Sequence, residues 1–222
     1  MELNPDLSPD IRRIRWKNTC RLIPSRYPSA GILDRVASPR DLDQVFELES
    51  WTNDRISNEL GVLHRIPPEE WITGPQATVV MAAFCHPRPE GGRFNSAERG
   101  AWYAARHLET AHAEMTYHRT AELAEVGVFE TAVQMRLYLA DFSAPFHDLR
   151  TETFDPRNYV ESQKLARDLF ATGSNGIVYR SVRDGGECIA CFRPKLVLSV
   201  RPDAHFEYRW TGGPTPAIRR LG

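Results

Sequence analysis

The 222-residue chain carries 28 basic and 29 acidic residues, a formal net charge of −1, with 41% apolar and 26% charged residues. That length suffices for one sizeable core, the composition is that of a globular rather than a disordered chain, and the balanced charge speaks against a duplex nucleic-acid binder. No apolar run approaches the roughly 20 residues that span a bilayer, and the N-terminal MELNPDLSPD lacks the basic-then-apolar pattern of a secretion signal, so a cytoplasmic protein without a membrane partner is expected.

Residues 1–16 are polar and read as an arm or short helix, with the arm set at residues 1–18 and one domain from 19 to 222. Residues 19–23 (TCRLI) predict a short strand stopped by Pro24, and Arg26-Tyr27-Pro28 begins a loop. A helix is expected from Pro39 through Trp51, capped by Ser38 and with Asp41 and Asp43 in its first turn. Residues 66–76 form a connection punctuated by Pro and Gly, and the apolar residues 77–84 fit either a buried strand or a short helix. Residues 87–95 must be a loop, 100–105 a strand and 107–119 a helix. Val133, Met135, Leu137 and Leu139 alternate with polar residues, the mark of a half-buried strand. A helix over 159–171 and strands over 177–180, 188–192, 195–200 and 205–210 complete an α+β reading with a mainly antiparallel or mixed sheet.

Three segments can carry chemistry. In Gly91-Gly92-Arg93-Phe94-Asn95, two glycines let backbone approach whatever Arg93 faces, and a guanidinium in a cleft can grip a diphosphate through charge-assisted hydrogen bonds. In the unit from Trp102 to Glu114, Tyr103 and Ala105 share one strand face, and Glu114 sits at the edge of the helix's apolar stripe. A carboxylate there can stabilise the oxocarbenium-like sugar formed when a nicotinamide–ribose bond breaks. The nicotinamide leaves neutral, so no general acid is needed, and an aromatic ring such as Tyr103 can hold its face. Ser181 stands at a strand end beside a Gly-rich turn, without the Gly-x-Ser-x-Gly elbow of a hydrolase nucleophile. Taken singly, these segments also fit a surface turn, a solvated Glu and a turn-forming Ser.

Other signals weigh little. Only three of the basic residues are lysines (Lys17, Lys164 and Lys195); the Arg bias suits phosphate binding and a GC-rich genome equally. Cys188 and Cys191 are spaced C-x-x-C, but within a strand they point to opposite faces, and no second Cys pair exists. His107 and His112 are five apart, poor spacing for one helix face, and His118 is explained by proximity to a helix C-terminus. No metal is expected. A G-x-G-x-x-G fingerprint is also missing.

In their order, Cys20-Arg21-Leu22, GGRFN, WYAARHLETAHAEMTYHR, GIVYRSVRDGG and CIACFRP are similar to the RES domain family, named for an arginine, a glutamate and a serine. The similarity spans about residues 19–200 and resembles a longer branch carrying RYP near the start and a helical insertion, here about residues 38–76. The resemblance implies a fold like that of the ADP-ribosyltransferase toxins, two small mainly antiparallel sheets around an NAD cleft with flanking helices. It implies a toxin of a type II toxin–antitoxin system that consumes NAD as substrate, held by a cognate, DNA-binding antitoxin over the cleft. Implied acceptors of ADP-ribose are a protein such as phosphoribosyl pyrophosphate synthetase, phosphate or water. Catalysis would fall to Glu114, Arg21 and Tyr103, with Arg21, Arg93, Asn95, Tyr103 and Ser181 binding NAD. One departure is Phe94, where many relatives have Trp, which puts a hydrogen bond from that position in doubt. Two other classes stand beside this reading: a catalytically inactive antitoxin-binding module, and a nucleic-acid binder, which salt-dependent DNA affinity would reveal.

Overall fold

The computed structural model describes residues 10–26, 32–34 and 63–222. Its main elements begin with β1 (Ile11–Pro24), α1 (Ala77–Cys85), β2 (Trp102–Ala105), α2 (Leu108–Val126) and β3 (Glu130–Leu149). They continue with α3 (Val160–Ala171), β4 (Gly176–Arg180), β5 (Glu187–Cys191), β6 (Leu198–Thr211) and β7 (Ala217–Leu221). The expected helix over 39–51 and the RYP turn beyond Arg26 lie outside the described residues.

β1 and β3 pair antiparallel from Ile11↔His147 to Pro24↔Met135 and carry the rest of the fold. A bulge sets Lys17 and Asn18 against Asp141; Asn18 adopts φ 55° there and its N–H donates to Asp141 Oδ1. β6 lines the other side of β3, and β7 pairs with β6 at the edge. The strand order is β1-β2-β5-β4-β3-β6-β7 with β1 also pairing β3, so the first five strands close into a ring.

The expectation of two separate small sheets is therefore corrected: one mixed, seven-stranded sheet is formed. The cause is the length of β3, which runs antiparallel to β1 and β6 and then parallel to β4 at His147–Leu149. Past Leu139 the alternation changes phase: Ala140, Phe142, Ala144 and Phe146, all buried, join the opposite cluster from Met135 and Leu137. Pro145 interrupts that pattern in sequence but not in space. Its carbonyl accepts from Asn175 Nδ2 on the side away from β1, so its missing N–H falls where no strand pairs with β3.

Packing separates into two apolar clusters. One gathers Ile14, Trp16, Trp102, Tyr138 and Phe142 beneath α1. The other gathers Leu22, Leu137, Phe206, Tyr208 and Trp210 beneath α2, with Ala166 and Leu169 of α3. Residues 77–84, left open between strand and helix, are helix.

Three further boundaries differ from expectation. β1 begins at Ile11, so residues 11–16 are strand rather than arm or helix, and a division at residue 18 falls inside β1. α2 continues past Arg119 to Val126, ending where Gly127 takes the left-handed conformation at φ 69°. The strand expected over 195–200 is a 3-10 turn (Pro194–Leu196) followed by β6, which also absorbs the expected strand at 205–210. Among the described residues no helix is long and apolar enough to cross a membrane.

Candidate active site

The loop before β2 is held by its own side chains. Tyr103 donates its hydroxyl to Asn95 Oδ1 at 2.8 Å and accepts the Phe94 N–H at 2.8 Å. Gln163 of α3 clamps the loop from outside, donating to the carbonyls of Glu90 and Gly92 at 3.0 and 2.9 Å. Only glycine fits at position 92: a Cβ there would lie 2.4 Å from Asn95 Oδ1 and 2.9 Å from the Tyr103 hydroxyl. Arg93, 8% exposed, donates to the Asp155 carbonyl at 2.7 Å and lies 4.5 Å over the Tyr159 ring. Phe94 is buried edge-on against Phe154 and Tyr179. The position uses its ring as core, so the loss of an indole donor leaves the loop's hydrogen bonds intact.

Glu114 faces this loop from α2. Ser181 Oγ donates to Glu114 Oε1 at 2.6 Å and itself accepts the Arg183 N–H at 3.0 Å. The Ser181 turn reaches α2 because Gly186 has no side chain, since a Cβ there would lie 2.0 Å from Thr110 Oγ1. The other oxygen, Oε2, lies 3.8 Å from His118 Nε2. Burial, then Arg88, Arg183, Arg119 and Arg93, push His118 down to about 4, so it is neutral near pH 7 and does not neutralise the carboxylate. The helix-end account of His118 fails, because α2 runs on to Val126.

Arg21 approaches from β1. It donates to the Tyr103 carbonyl at 2.9 Å and lies 4.7 Å over the Trp102 ring. Burial lowers it to about 10, which still leaves a cation at pH 7. Trp102 and Tyr103 belong to opposite faces of β2, so Arg21 stands on the Trp102 side while its guanidinium touches the backbone of the residue beneath the glycine loop.

Arg21, Arg93, Asn95, Tyr103 and Glu114 line one cleft of about 1520 Å³. Ser181 does not line it; the residue stands behind Glu114 and orients it. The cleft also takes in Arg136, His118, Tyr159 and Gln163, which sequence reasoning missed. Arg21, Arg93 and Arg136 share a feature: each is held by hydrogen bonds to backbone carbonyls or to His and Tyr side chains, with no ion pair among the described residues. Some arginines outside the cleft are neutralised, Arg99 by Glu70 and Arg150 by Asp148. Guanidinium groups without ion pairs in the same cleft as the Glu114 carboxylate can bind an anionic, ring-bearing ligand and stabilise positive charge developing on it.

The cysteines stand apart from this chemistry. Cys188 and Cys191 belong to opposite faces of β5, and burial pushes the Cys20 and Cys85 thiols up to about 11 and Cys191 to about 12. Among the described residues no cluster of His, Cys, Asp or Glu is placed to hold a metal.

A family model, the RES domain, matches residues 62–211. The uncharacterised protein y4oC of Sinorhizobium fredii (strain NBRC 101917 / NGR234) is 28% identical over 197 residues, 86% of this chain and 82% of its own. Among solved structures, a chain of the M. tuberculosis MbcT–MbcA toxin–antitoxin complex aligns with a TM-score of 0.48 at 12% identity, covering 88% of this chain and 86% of that one.

Proposed function

The chain belongs to the RES domain family, and on that premise we propose that it is an NAD-consuming enzyme, the toxin of a toxin–antitoxin pair, which breaks the nicotinamide–ribose bond. The observation that carries this reading is Glu114, fixed at one oxygen by Ser181 and lining a cleft with Arg21, Arg93 and Arg136, none of which has an ion pair among the described residues. Arg21 and Arg93 grip the phosphates. As the C–N bond lengthens, its electron pair leaves with nicotinamide, and positive charge grows on the ribose. Glu114 stabilises that charge and orients the ribose hydroxyls. The Tyr103 ring flanks the reacting end, while its hydroxyl, engaged with Asn95 and Phe94, keeps the loop in place. ADP-ribose then passes to a protein side chain, phosphate or water. An antitoxin over the cleft would block entry of NAD and acceptor together.

The test is mass spectrometry of NAD incubated with purified protein, with phosphate, without it, and with cell extract. Nicotinamide release is expected, and the ADP-ribose product names the acceptor. Glu114→Ala should lower the rate about 10²–10³-fold, by analogy with loss of an oxyanion-hole donor at ~3–4 kcal/mol. NAD left intact under all three conditions overturns the reading and favours an inactive antitoxin-binding module.

A further inference from the structure

On the Arg21 side, the same cleft is lined by residues of β1, β3 and α1, and that part of it is the chamber of interest. Strand register sets Arg21 opposite Tyr138 and Ile23 opposite Arg136. Directly opposed residues point to the same face, so these four side chains form one surface, and all four line the cleft. Arg136 is held in place by two hydrogen bonds, donating to His205 Nε2 at 3.2 Å and to the Tyr138 hydroxyl at 3.1 Å. Like Arg21, it has no ion pair among the described residues. Across from them, α1 contributes Thr78, Val79 and Ala82 to the lining.

Among the described residues, two buried polar atoms in this lining have no hydrogen-bond partner: Arg21 Nε from β1 and Thr78 Oγ1 from α1. Orphaned buried donors are rare because each forfeits its hydration without compensation. Two of them, on different elements bordering one chamber beside two unneutralised guanidinium groups, mark a place for a polar, anionic ligand. Ile23, Val79 and Ala82 supply apolar surface for a ring. NAD consists of two nucleotide halves joined through their phosphates. If the reacting half lies by Glu114 and Tyr103, the other must extend along the cleft, and Arg21 stands between the two regions.

We infer that this chamber takes the adenosine monophosphate half of the dinucleotide, with Arg136 as a specificity-determining cation and the Thr78 hydroxyl as a hydrogen-bonding partner. The inference rests on the NAD reading above. It places recognition of the adenosine end on β3 and α1, away from the arginine–glutamate–serine set.

Binding of adenosine monophosphate and of nicotinamide mononucleotide is to be measured calorimetrically on the full chain carrying Glu114→Gln, which suppresses turnover. Adding Arg136→Gln should weaken adenosine monophosphate at least tenfold and change nicotinamide mononucleotide less than twofold. Thr78→Val should weaken adenosine monophosphate severalfold without lowering the melting temperature of the free protein, because the hydroxyl it removes has no partner among the described residues. That variant keeps the test decisive should Arg136→Gln fold poorly. Absence of adenosine monophosphate binding, or affinity indifferent to both substitutions, overturns the inference. Turnover by the unsubstituted protein is scored separately. NAD left intact while adenosine monophosphate binds through Arg136 overturns the catalytic reading alone, and NAD consumed with binding indifferent to Arg136 overturns the chamber alone.

Discussion

Ser181 Oγ donates to Glu114 Oε1 at 2.6 Å, joining a turn after β4 to α2 across 67 residues of sequence. The bond holds Glu114 by one oxygen, while Oε2 lies 3.8 Å from Nε2 of His118, which also lines the cleft. Ser181→Ala removes a charge-assisted hydrogen bond worth ~1.5–3 kcal/mol. If that orientation serves the transition state, the turnover number should fall about 10–100-fold, at 1.36 kcal/mol per tenfold. Initial rates of nicotinamide release provide the measurement. A turnover number within twofold of the parent would remove Ser181 from the site and leave it a turn-forming residue.

The hydroxyl of Tyr103 is committed to the glycine loop rather than to a ligand. Tyr103→Phe keeps the ring but strands the Phe94 N–H and Asn95 Oδ1, each at ~1–3 kcal/mol when buried. The melting temperature should drop by several degrees, taking about 2–4 °C per kcal/mol for a chain of this size. Gly92→Ala should lower it as well, by driving a Cβ into the same pair of atoms. Melting curves of both variants decide the matter; an unchanged Tyr103→Phe midpoint means that the loop is not held through this hydroxyl.

Much of this unit was legible because its determinants are local. Glycines permit close approach, Tyr103 and Ala105 alternate with Trp102 and Ala104, and the helix formers after His107 continue into α2. What was not legible depends on distant pairing. The second half of β3 faces β1 more than a hundred residues away, and Pro145 looks like a stop until the open side of the strand is seen. Arg136 shows the same gap at the level of the site. It is one polar position among several on an alternating strand, and only its register with Ile23 and His205 shows that it faces a cleft. His118 looked terminal because α2 was ended at Arg119, when the stop is Gly127.

Arg93 offers a test of shape against charge. Its guanidinium stacks on Tyr159 and donates to the Asp155 carbonyl, which aims the planar fork. A lysine keeps the charge but provides neither the stack nor paired donors. Arg93→Lys should therefore raise the KM for NAD about tenfold while altering kcat less, with the loss of one charge-assisted bond as the scale. Arg93→Gln should do worse on KM. Parental kinetics from the lysine variant would show that a point charge suffices at this position.

His118 ties the site to stability in acid. In the unfolded chain its imidazole titrates near 6.5, whereas in the fold it is pushed down to about 4, first by burial and then by the surrounding arginines. The folded state thus prefers the neutral ring. Above pH 6.5 both states hold it neutral and the preference has no cost. As pH falls from 6.5 toward 4, the unfolded state takes up the proton first and folding is destabilised, with the penalty levelling off once both states are protonated. His118→Gln abolishes that proton uptake, so the substituted protein should lose less stability than the parent between pH 7 and pH 5. Urea midpoints at the two pH values read this directly, and His112 and His147, also lowered, contribute to both proteins alike. Equal losses in parent and variant would mean that His118 is solvated in the folded protein, and the carboxylate of Glu114 would then face a titrating neighbour in the working pH range.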